Sequence, residues 1–319
     1  MQPASRHYPQ LPQRIMAHTQ HPPQFGLGVT LAVFAAIGFS AKAIFVKLAY
    51  LAAPIDAITL LALRMAFAVP VFIGVAIWSS RQQHARALDR HDFLLIIGLG
   101  FIGYYVSSLL DFMGLQYLSA GLERLILFLY PTMTVLLSAA LFKHPITRRH
   151  VIALVISYSG IALVFAHNLA QHSANMLLGA SLVFASTLSY SVYLVGAGHA
   201  IGKIGTIRFT ALAMIVASAV TLVHFAVTHD LSALQLPQRV YVLSAAMAIF
   251  STVLPVFMLS AAIRLINPGR TALIGSAGPI ATIFMAYLFL DESIGGLQIA
   301  GSVLVLSGVL LISWKRKTG

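Results

Sequence analysis

Apolar segments long enough to cross a membrane dominate this chain and restrict what it can fold into. Runs of about 20 mostly apolar residues recur from Phe25 to Trp314, separated by short polar or charged stretches. A helix of that length spans a hydrocarbon core about 30 Å thick. Only 9% of the 319 residues are charged, whereas a soluble domain has about 25%. The sequence therefore predicts an all-α, polytopic integral membrane protein.

Hydropathy, together with the charged and helix-breaking residues between the apolar runs, predicts ten transmembrane helices. The predicted spans are residues 26 to 49, 57 to 78, 93 to 113, 119 to 142, 148 to 166, 177 to 197, 207 to 227, 239 to 262, 267 to 290 and 296 to 314. An even number of spans places both termini on the same side of the membrane.

Lysine and arginine are distributed unevenly between the two sides of these spans. If both termini are cytoplasmic, fifteen of the 20 basic residues lie in cytoplasmic segments and only Arg239 lies at a span edge on the opposite side. Cytoplasmic loops carry the excess of basic residues. The sequence therefore predicts cytoplasmic termini and a bacterial inner (plasma) membrane location. It also predicts contact between anionic lipids and the cytoplasmic loops, and the net charge of +12 requires no nucleic acid.

The first 24 residues and the cysteine count exclude several other features. Residues 1 to 24 are rich in Pro, Gln and His and lack the apolar region of a signal peptide, so we expect a disordered cytoplasmic tail. Its three histidines are irregularly spaced and have no acidic partner, which argues against a metal site. The chain has no cysteine and no Walker motif or nucleophile elbow. We therefore expect no cofactor, no metal, no ATP-driven transport and no enzymatic activity.

Prolines, glycines and loop positions recur between the two halves of the chain. At an offset of 148 residues, Pro131 coincides with Pro279 and Gly121 coincides with Gly269. The same offset superposes the segment LFKHPI on FLDESI, so that basic residues replace acidic ones in an otherwise similar frame. The match involves helix-breaking residues and loops rather than leucines, which indicates an internal repeat.

The repeat predicts two five-helix units, residues 25 to 167 and residues 176 to 315. Because five is an odd number, the second unit enters the membrane from the opposite side. Inverted repeats of this kind are typical of secondary transporters, in which the substrate binds near the bilayer midplane between the repeats.

Four segments of the sequence resemble the EamA family of the drug/metabolite transporter superfamily, and the resemblance extends over roughly residues 28 to 315. These segments are GFSAKAIFVKLAY (38 to 50), TLLALRMAFAVPVFIGVAIW (59 to 78), LQYLSAGLERLILFLYPTMTVLLSAALF (115 to 142) and SAGPIATIFMAYLFLDESIGGLQIAGSVLVLSGVLLI (276 to 312). The resemblance implies ten helices in two EamA repeats, cytoplasmic termini and transport of small metabolites.

Two positions can be compared with the family pattern. Arg64 matches an arginine that is often present in the second helix, and the acidic pair after the ninth helix is present as Asp291 and Glu292. The first half has Lys143 and His144 instead, which departs from the pattern. Because the acidic pair is predicted to lie in a loop outside the membrane, we do not expect it to take part in transport.

Six ionisable side chains lie within the predicted spans, all of them in the first half. An ionisable group at the bilayer centre costs about 2.5 to 3.5 kcal/mol, so such groups face the interior of the bundle or a cavity. Four of these groups are basic and two are acidic, which favours an anionic group on the substrate. They are Lys42, Lys47, Arg64, Asp111, Glu123 and Arg124.

The six groups differ in predicted depth and therefore in expected role. Lys42 and Arg64 are deep enough to line a transport pathway or to form a structural pair there. Lys47 and Asp111 are near enough to the membrane surface to extend to water or to pair with each other.

Glu123 and Arg124 each require a partner on another helix. They are adjacent on one helix and point about 100° apart, so they cannot pair well with each other. We expect Lys42 or Arg64 to be the partner of Glu123. A buried carboxylate next to a cation is suited to binding and releasing a proton, so Glu123 is the candidate for proton coupling.

Pro131 and Pro279 are predicted near the midplane of the fourth and ninth spans, preceded by Tyr130 and Gly278. Proline removes a helix hydrogen bond, and an irregular backbone at that depth is tolerated only against protein or a water-filled cavity. The symmetric pair therefore marks a candidate binding site, although each proline alone could be a packing kink. Ser-Gly pairs in the fifth and tenth spans are predicted helix-packing contacts.

Buried tyrosine hydroxyls are further candidates for contact with a substrate. Tyr104 and Tyr105 lie in the third span, and Tyr190 and Tyr193 lie in the sixth. A spacing of three residues places Tyr190 and Tyr193 on the same helix face.

We therefore expect a secondary transporter that works by alternating access and exports small organic metabolites, such as amino acids or related carboxylates. Transport of sugar phosphates or nucleotide sugars is an alternative that the surplus of basic residues would suit. A lipid-linked transferase is the alternative from a different class, but it would need clustered acids or a loop nucleophile. Protons are the expected coupling ion.

Overall fold

Helices account for all the regular secondary structure in the described part of the chain. A computed structural model describes residues 24 to 81, 87 to 143, 145 to 169 and 175 to 313. The predicted tail therefore lies outside the described residues, apart from Gln24. Nine helices among the described residues are long and apolar enough to cross a membrane, and a shorter apolar helix covers Gly296–Leu311.

Each predicted span falls on one helix or on two consecutive helical segments, numbered α1 to α10. They are α1 Phe25–Ala52, α2 Ala57–Ser80, α3 Arg90–Leu115, α4 Ala120–Leu127 and Tyr130–Phe142, α5 Arg148–Leu169, α6 Asn175–Ile204, α7 Thr206–Thr228, α8 Gln238–Ile266, α9 Pro268–Gly275 and Gly278–Leu290, and α10 Gly296–Ser313.

Irregularities in four of the helices recur at an offset of 148 residues. A π-helical segment covers Phe101–Val106 in α3, and another covers Ile249–Val253 in α8. The helix α4 is interrupted at residues 128 to 129, and α9 is interrupted at residues 276 to 277. Both interruptions stand immediately before the segments that carry Pro131 and Pro279. The repeat seen in the sequence is therefore also present in the backbone.

The segments LFKHPI and FLDESI share an unusual backbone conformation in spite of their opposite charges. Lys143 ends α4 with φ 56° and ψ 29°, and Asp291 ends α9 with φ 53° and ψ 26°. Both residues adopt the left-handed conformation that commonly terminates helices. The two segments are therefore equivalent helix ends that carry different side chains.

Helices of one half of the chain pack mainly against helices of the other half. The most extensive contacts are those of α1 with α8, followed by α3 with α6, α5 with α10, α2 with α7 and α1 with α9. Fully buried Leu60, Leu61, Met65 and Phe72 of α2 belong to the largest apolar cluster, which also contains Met214 of α7. The apolar core therefore lies between the halves, where the charged groups described below also lie.

The two ends of the helical bundle are named here by a residue found at each. Lys47, near the end of α1, donates from Nζ to the Leu118 carbonyl oxygen at 2.9 Å, and Glu292 bonds the neighbouring start of α4. At the opposite end of α1, the Arg270 guanidinium lies 5.1 Å from the centroid of the Phe25 ring. We call these the Glu292 end and the Phe25 end.

Glycines allow α5 and α10 to approach each other closely, as the Ser-Gly pairs indicated. A Cβ atom on Gly308 would lie 2.6 Å from the Ala153 carbonyl oxygen and 2.1 Å from Ser157 Oγ. We therefore expect Gly308→Ala to force the backbones apart and to lower the free energy of unfolding by about 1 to 3 kcal/mol.

Thermal unfolding of the detergent-solubilised protein measures this effect. Gly74→Ala in α2 is the matched control, because no atom lies within 4 Å of its added Cβ. An equal melting temperature for the two variants would contradict the role of close packing at Gly308.

Candidate functional site

A partly buried lysine contacts two buried carboxylates from different helices. Lys42 of α1 places Nζ 2.5 Å from Asp111 Oδ2 of α3 and 3.4 Å from Glu123 Oε1 of α4. Glu123 is 0% exposed and Asp111 is 1% exposed. One ammonium group therefore neutralises part of the charge of two carboxylates that would otherwise repel each other in an apolar environment. Lys42 is one of the two partners expected for Glu123.

Asp111 does not pair with Lys47, which corrects one of the two arrangements considered for these residues. Lys47 Nζ instead donates to the carbonyl oxygens of Leu115, at 3.3 Å, and Leu118, at 2.9 Å. The last carbonyl groups of a helix have no partner within the helix, so the end of α3 offers acceptors to Lys47. Asp111 is then left facing Lys42 in the interior.

Arg64 of α2 connects the two halves at the same depth in the bundle. Its Nε donates to Thr252 Oγ1 at 2.9 Å, within the π-helical segment of α8, and its guanidinium lies 5.5 Å from the centroid of the Phe112 ring. The residue is 6% exposed, and Nη1 has no hydrogen-bond partner in the described part of the chain. Arg64 is therefore directed to Thr252 rather than to Glu123, and it retains an unused donor.

The interruptions of α4 and α9 are each contacted by a serine of the other half. Ser40 Oγ of α1 lies 2.8 Å from the Gly278 carbonyl oxygen, and Ser191 Oγ of α6 lies 3.2 Å from the Tyr130 carbonyl oxygen. Tyr130 and Gly278 are equivalent positions, 148 residues apart. Each carbonyl oxygen also accepts a hydrogen bond from a threonine of its own segment, Thr134 at 2.6 Å and Thr282 at 3.2 Å. The serines therefore connect each interruption to the other half of the chain.

Arg124 extends from α4 to the interruption of α9. A Cβ atom added to Gly278 would lie 3.2 Å from Arg124 Nη2. The Arg124 side chain is also close enough to Tyr130 and Tyr190 to interact with them electrostatically. Its buried Nε has no hydrogen-bond partner among the described residues. Arg124 therefore places a positive charge beside the interruption of α9, near the Tyr130 side chain, and keeps at least one donor free.

Four of the tyrosines form an aromatic cluster across α3, α4 and α6. The Tyr104 and Tyr193 hydroxyl oxygens are 3.0 Å apart, and the rings of Tyr190 and Tyr193 stack with centroids 5.6 Å apart. The ring of Tyr130 meets that of Tyr190 edge to face at 5.6 Å. The predicted common face of Tyr190 and Tyr193 is confirmed. Tyr105 lies apart from this cluster and bonds His224 Nδ1 at 2.6 Å.

The charged groups and the aromatic cluster form one continuous site between the halves. Arg64 is close enough to Asp111 and Tyr104 for electrostatic interaction, and Arg124 is adjacent in the chain to Glu123. Three positive and two negative side chains leave one positive charge when both carboxylates are ionised. Such a site can hold an anion against Arg64 or Arg124, and it can take up a proton on one of its carboxylates.

Glu292 has a structural role that the sequence analysis did not predict. Its Oε1 accepts a hydrogen bond from the Ala120 amide at 2.8 Å, and its Oε2 accepts one from the Gly121 amide at 3.3 Å. These amides begin α4 and have no acceptor within the helix. The sequence predicted only that Glu292 lies in a loop and takes no part in transport, and it indicated no partner for the carboxylate. The sequence signal was the helix start at Ser119, which offers free amides to any nearby carboxylate.

Comparison with known proteins identifies the family. The profile of the EamA-like transporter family matches residues 26–166 and 177–314. The chain belongs to the EamA-like transporter family. This member is 31% identical over 281 residues to the uncharacterized transporter YcbK of Bacillus subtilis (strain 168), covering 86% of this chain and 88% of that protein. An uncharacterized transporter of Archaeoglobus fulgidus is 24% identical over 259 residues, or 81% of this chain and 89% of that relative.

A solved structure supports the same fold. One crystal structure superposes on this EamA-like chain with a TM-score of 0.62 at 15% sequence identity, covering 90% of this chain and 96% of the other. Together with the nine membrane-length helices of the described residues, the family makes this chain a multi-pass transport protein of the bacterial inner membrane.

Proposed function

We propose that this EamA-like protein is a secondary transporter that exports small organic metabolites bearing a carboxylate, such as amino acids, by alternating access. The observation that carries the proposal is the buried charge cluster between the two halves, where Arg124 meets the interruption of α9 at Gly278. Buried ionisable groups are costly in a membrane protein and are typical of substrate or ion pathways. Uptake of protons down their gradient would drive the solute outward by exchange.

The proposed topology is ten transmembrane helices in two inverted repeats, residues 25 to 167 and 176 to 315, with both termini in the cytoplasm. The excess of Lys and Arg in the loops on the side of the termini supports this orientation. The π-helical segments and helix interruptions that recur 148 residues apart support the repeats. Anionic lipids are the proposed contacts of the cytoplasmic loops.

Arg124 and Arg64 are the proposed ligands of the substrate carboxylate. Lys42 is already engaged by two acids, whereas each arginine has a buried nitrogen without a partner in the described part of the chain. Glu123 is proposed to exchange a proton, because it is fully buried and lies 3.4 Å from a cation. The hydroxyl groups of Tyr104, Tyr130, Tyr190 and Tyr193 would bind the remainder of the solute.

Purified protein in liposomes tests the proposed function directly. Vesicles loaded with unlabelled amino acids should accumulate a radiolabelled amino acid by counterflow, and an acidic exterior should increase efflux of the labelled solute. A sugar phosphate competes for the same site only if the alternative substrate class is correct, since a doubly charged phosphate suits the same arginines. Failure of every carboxylate tested, together with counterflow of a radiolabelled sugar phosphate, would favour that alternative.

Arg124→Gln is expected to raise the KM for the substrate about tenfold or more, because the variant loses a charge-assisted hydrogen bond to the carboxylate. Lys203→Gln is the matched control, because it removes the same charge from an exposed side chain near the end of α6. Initial rates of counterflow at several substrate concentrations measure the effect. An unchanged KM in Arg124→Gln would exclude Arg124 as a ligand.

A further inference from the structure

The two ends of the bundle differ, although the repeats that form them are equivalent. At the Glu292 end, the first segment of α4 is buried: Leu122 is 3% exposed and Leu125 is 0% exposed. The equivalent residues in α9 are Arg270, which is exposed, and Leu273, which is 38% exposed. The same structural element is therefore packed at one end and uncovered at the other.

At the Glu292 end, α4 is held by the second segment of α9 and the start of α10. A Cβ atom on Gly121 would lie 3.4 Å from Ile283 Cγ1 and 2.4 Å from Gln298 Nε2. Ile283 and Ala286 are buried there. Glu292 adds two hydrogen bonds to the amides of Ala120 and Gly121, and Lys47 is close enough to interact with its charge. The start of α4 and the end of α9 are therefore in close contact at this end of the bundle.

At the Phe25 end, the equivalent surface is an open cleft with a volume of about 160 Å³. Its lining includes Val135 and Ser138 of α4 and His150 of α5. These are the repeat equivalents of Ile283, Ala286 and Gln298. At the Glu292 end, the corresponding surface is covered by the first segment of α4. The repeat equivalent of that segment is Pro268–Gly275, which does not cover the cleft at the Phe25 end.

We propose that Glu292 is a latch that keeps the Glu292 end closed, and that the cleft between Val135 and His150 is the seat of Pro268–Gly275 in the opposite conformation. The structure then represents the state that is open toward the Phe25 end. Releasing the carboxylate from α4 frees that end, and docking of the first segment of α9 into the cleft closes the other. The inference rests on the proposed alternating access and adds the groups that control it.

The carboxylate suits this role because its hold is local and reversible. A negative charge at a helix N-terminus is stabilised by the free amides and by the helix dipole. Each of the two hydrogen bonds joins a loop to the first turn of α4, so no apolar core must unfold to break them. Loss of the charge is therefore expected to change the balance between two conformations rather than the fold.

Distances between spin labels in lipid nanodiscs test the latch without any transport measurement. The absence of native cysteine allows one labelled pair at Tyr117 and Ile294, which report the Glu292 end, and another at Leu141 and Leu273, which report the Phe25 end. All four side chains are exposed. In the unsubstituted protein we expect a short first distance and a long second distance.

Glu292→Gln should lengthen the first distance and shorten the second in the same molecules, with a change of about tenfold in the ratio of the two populations. Asp291→Asn is the matched control, because it removes a neighbouring charge while asparagine tolerates the left-handed backbone. Unchanged distances in Glu292→Gln, or an equal change in Asp291→Asn, would overturn the latch. Thermal melting shows whether each variant folds. If Glu292→Gln does not fold, Glu292→Asp replaces it, because a shorter carboxylate should produce a smaller change of the distances in the same direction.

A second substitution tests the seat. Ser138→Trp fills the cleft, so combining it with Glu292→Gln should restore the short distance at the Glu292 end. Leu136→Trp places the same ring on the exposed side of α4 and should leave the Glu292→Gln distances unchanged. A failure of Ser138→Trp to restore that distance would overturn the seat. Both outcomes are independent of whether the tested solutes are transported, so they remain informative if the proposed substrate class is wrong.

Discussion

Lys42→Met is expected to lower the free energy of unfolding by about 3 to 5 kcal/mol and to abolish transport. The substitution removes the only ammonium group within 4 Å of Asp111 and Glu123 among the described residues. Two buried carboxylates would then face each other without a counter-charge in direct contact, since Arg64 and Arg124 interact with them only at longer range. Removal of one partner of a buried ion pair is costly because the remaining charge cannot reach water.

Thermal and chemical unfolding of the purified protein measures the loss, and two further variants define its cause. Lys42→Met combined with Asp111→Asn should recover part of the stability, because it also removes one of the two uncompensated charges. Lys47→Met is the matched control, since Lys47 donates only to backbone carbonyl groups and is expected to cost less. Equal destabilisation by the two lysine substitutions would show that the charge cluster does not depend on Lys42.

Glu123→Gln is expected to reduce flux driven by a pH gradient about tenfold while leaving exchange of solute across the membrane nearly intact. Glutamine has the size of glutamate and can still bond Lys42, but it cannot bind and release a proton. The carboxylate is fully buried, so a change in its protonation would alter the charge balance of the whole site. Proton binding and solute binding would thus be coupled through Lys42 and Arg124.

Liposomes with an imposed pH gradient separate the two activities. Efflux of labelled solute with and without the gradient reports coupling, and counterflow at equal pH reports exchange alone. Asp230→Asn is the matched control, because Asp230 is an exposed loop acid. A Glu123→Gln protein with the normal response to the gradient would assign proton coupling to another group.

Features that depend on local sequence could be predicted. The helix positions followed from hydropathy, the interruptions of α4 and α9 followed from the prolines, and the common face of Tyr190 and Tyr193 followed from helical spacing. A cationic partner for Glu123 was also expected, because a buried carboxylate has few other ways to be stabilised. The interruptions and the common face are determined within one or two turns of a helix, and the need for a cation follows from the cost of burying the Glu123 carboxylate.

Features that depend on how helices face one another could not be predicted. Depth along the helix favoured Lys47 as the partner of Asp111, but the carbonyl groups of Leu115 and Leu118 bind Lys47 instead, which the sequence does not show. The π-helical segments have no sequence signature in α3 or α8 that separates them from ordinary helix. The acceptor role of Glu292 was not predicted because it requires the start of α4, which is distant in the chain.

The crossed serine contacts have a consequence for how the chain can assemble. Ser40 belongs to the first half and reaches the interruption in the second, whereas Ser191 belongs to the second half and reaches the interruption in the first. Each contact requires both halves, so we expect the packing around the two interruptions to form only after the second half has been synthesised. Either half expressed alone would lack the contact that fixes its own interrupted helix in the bundle.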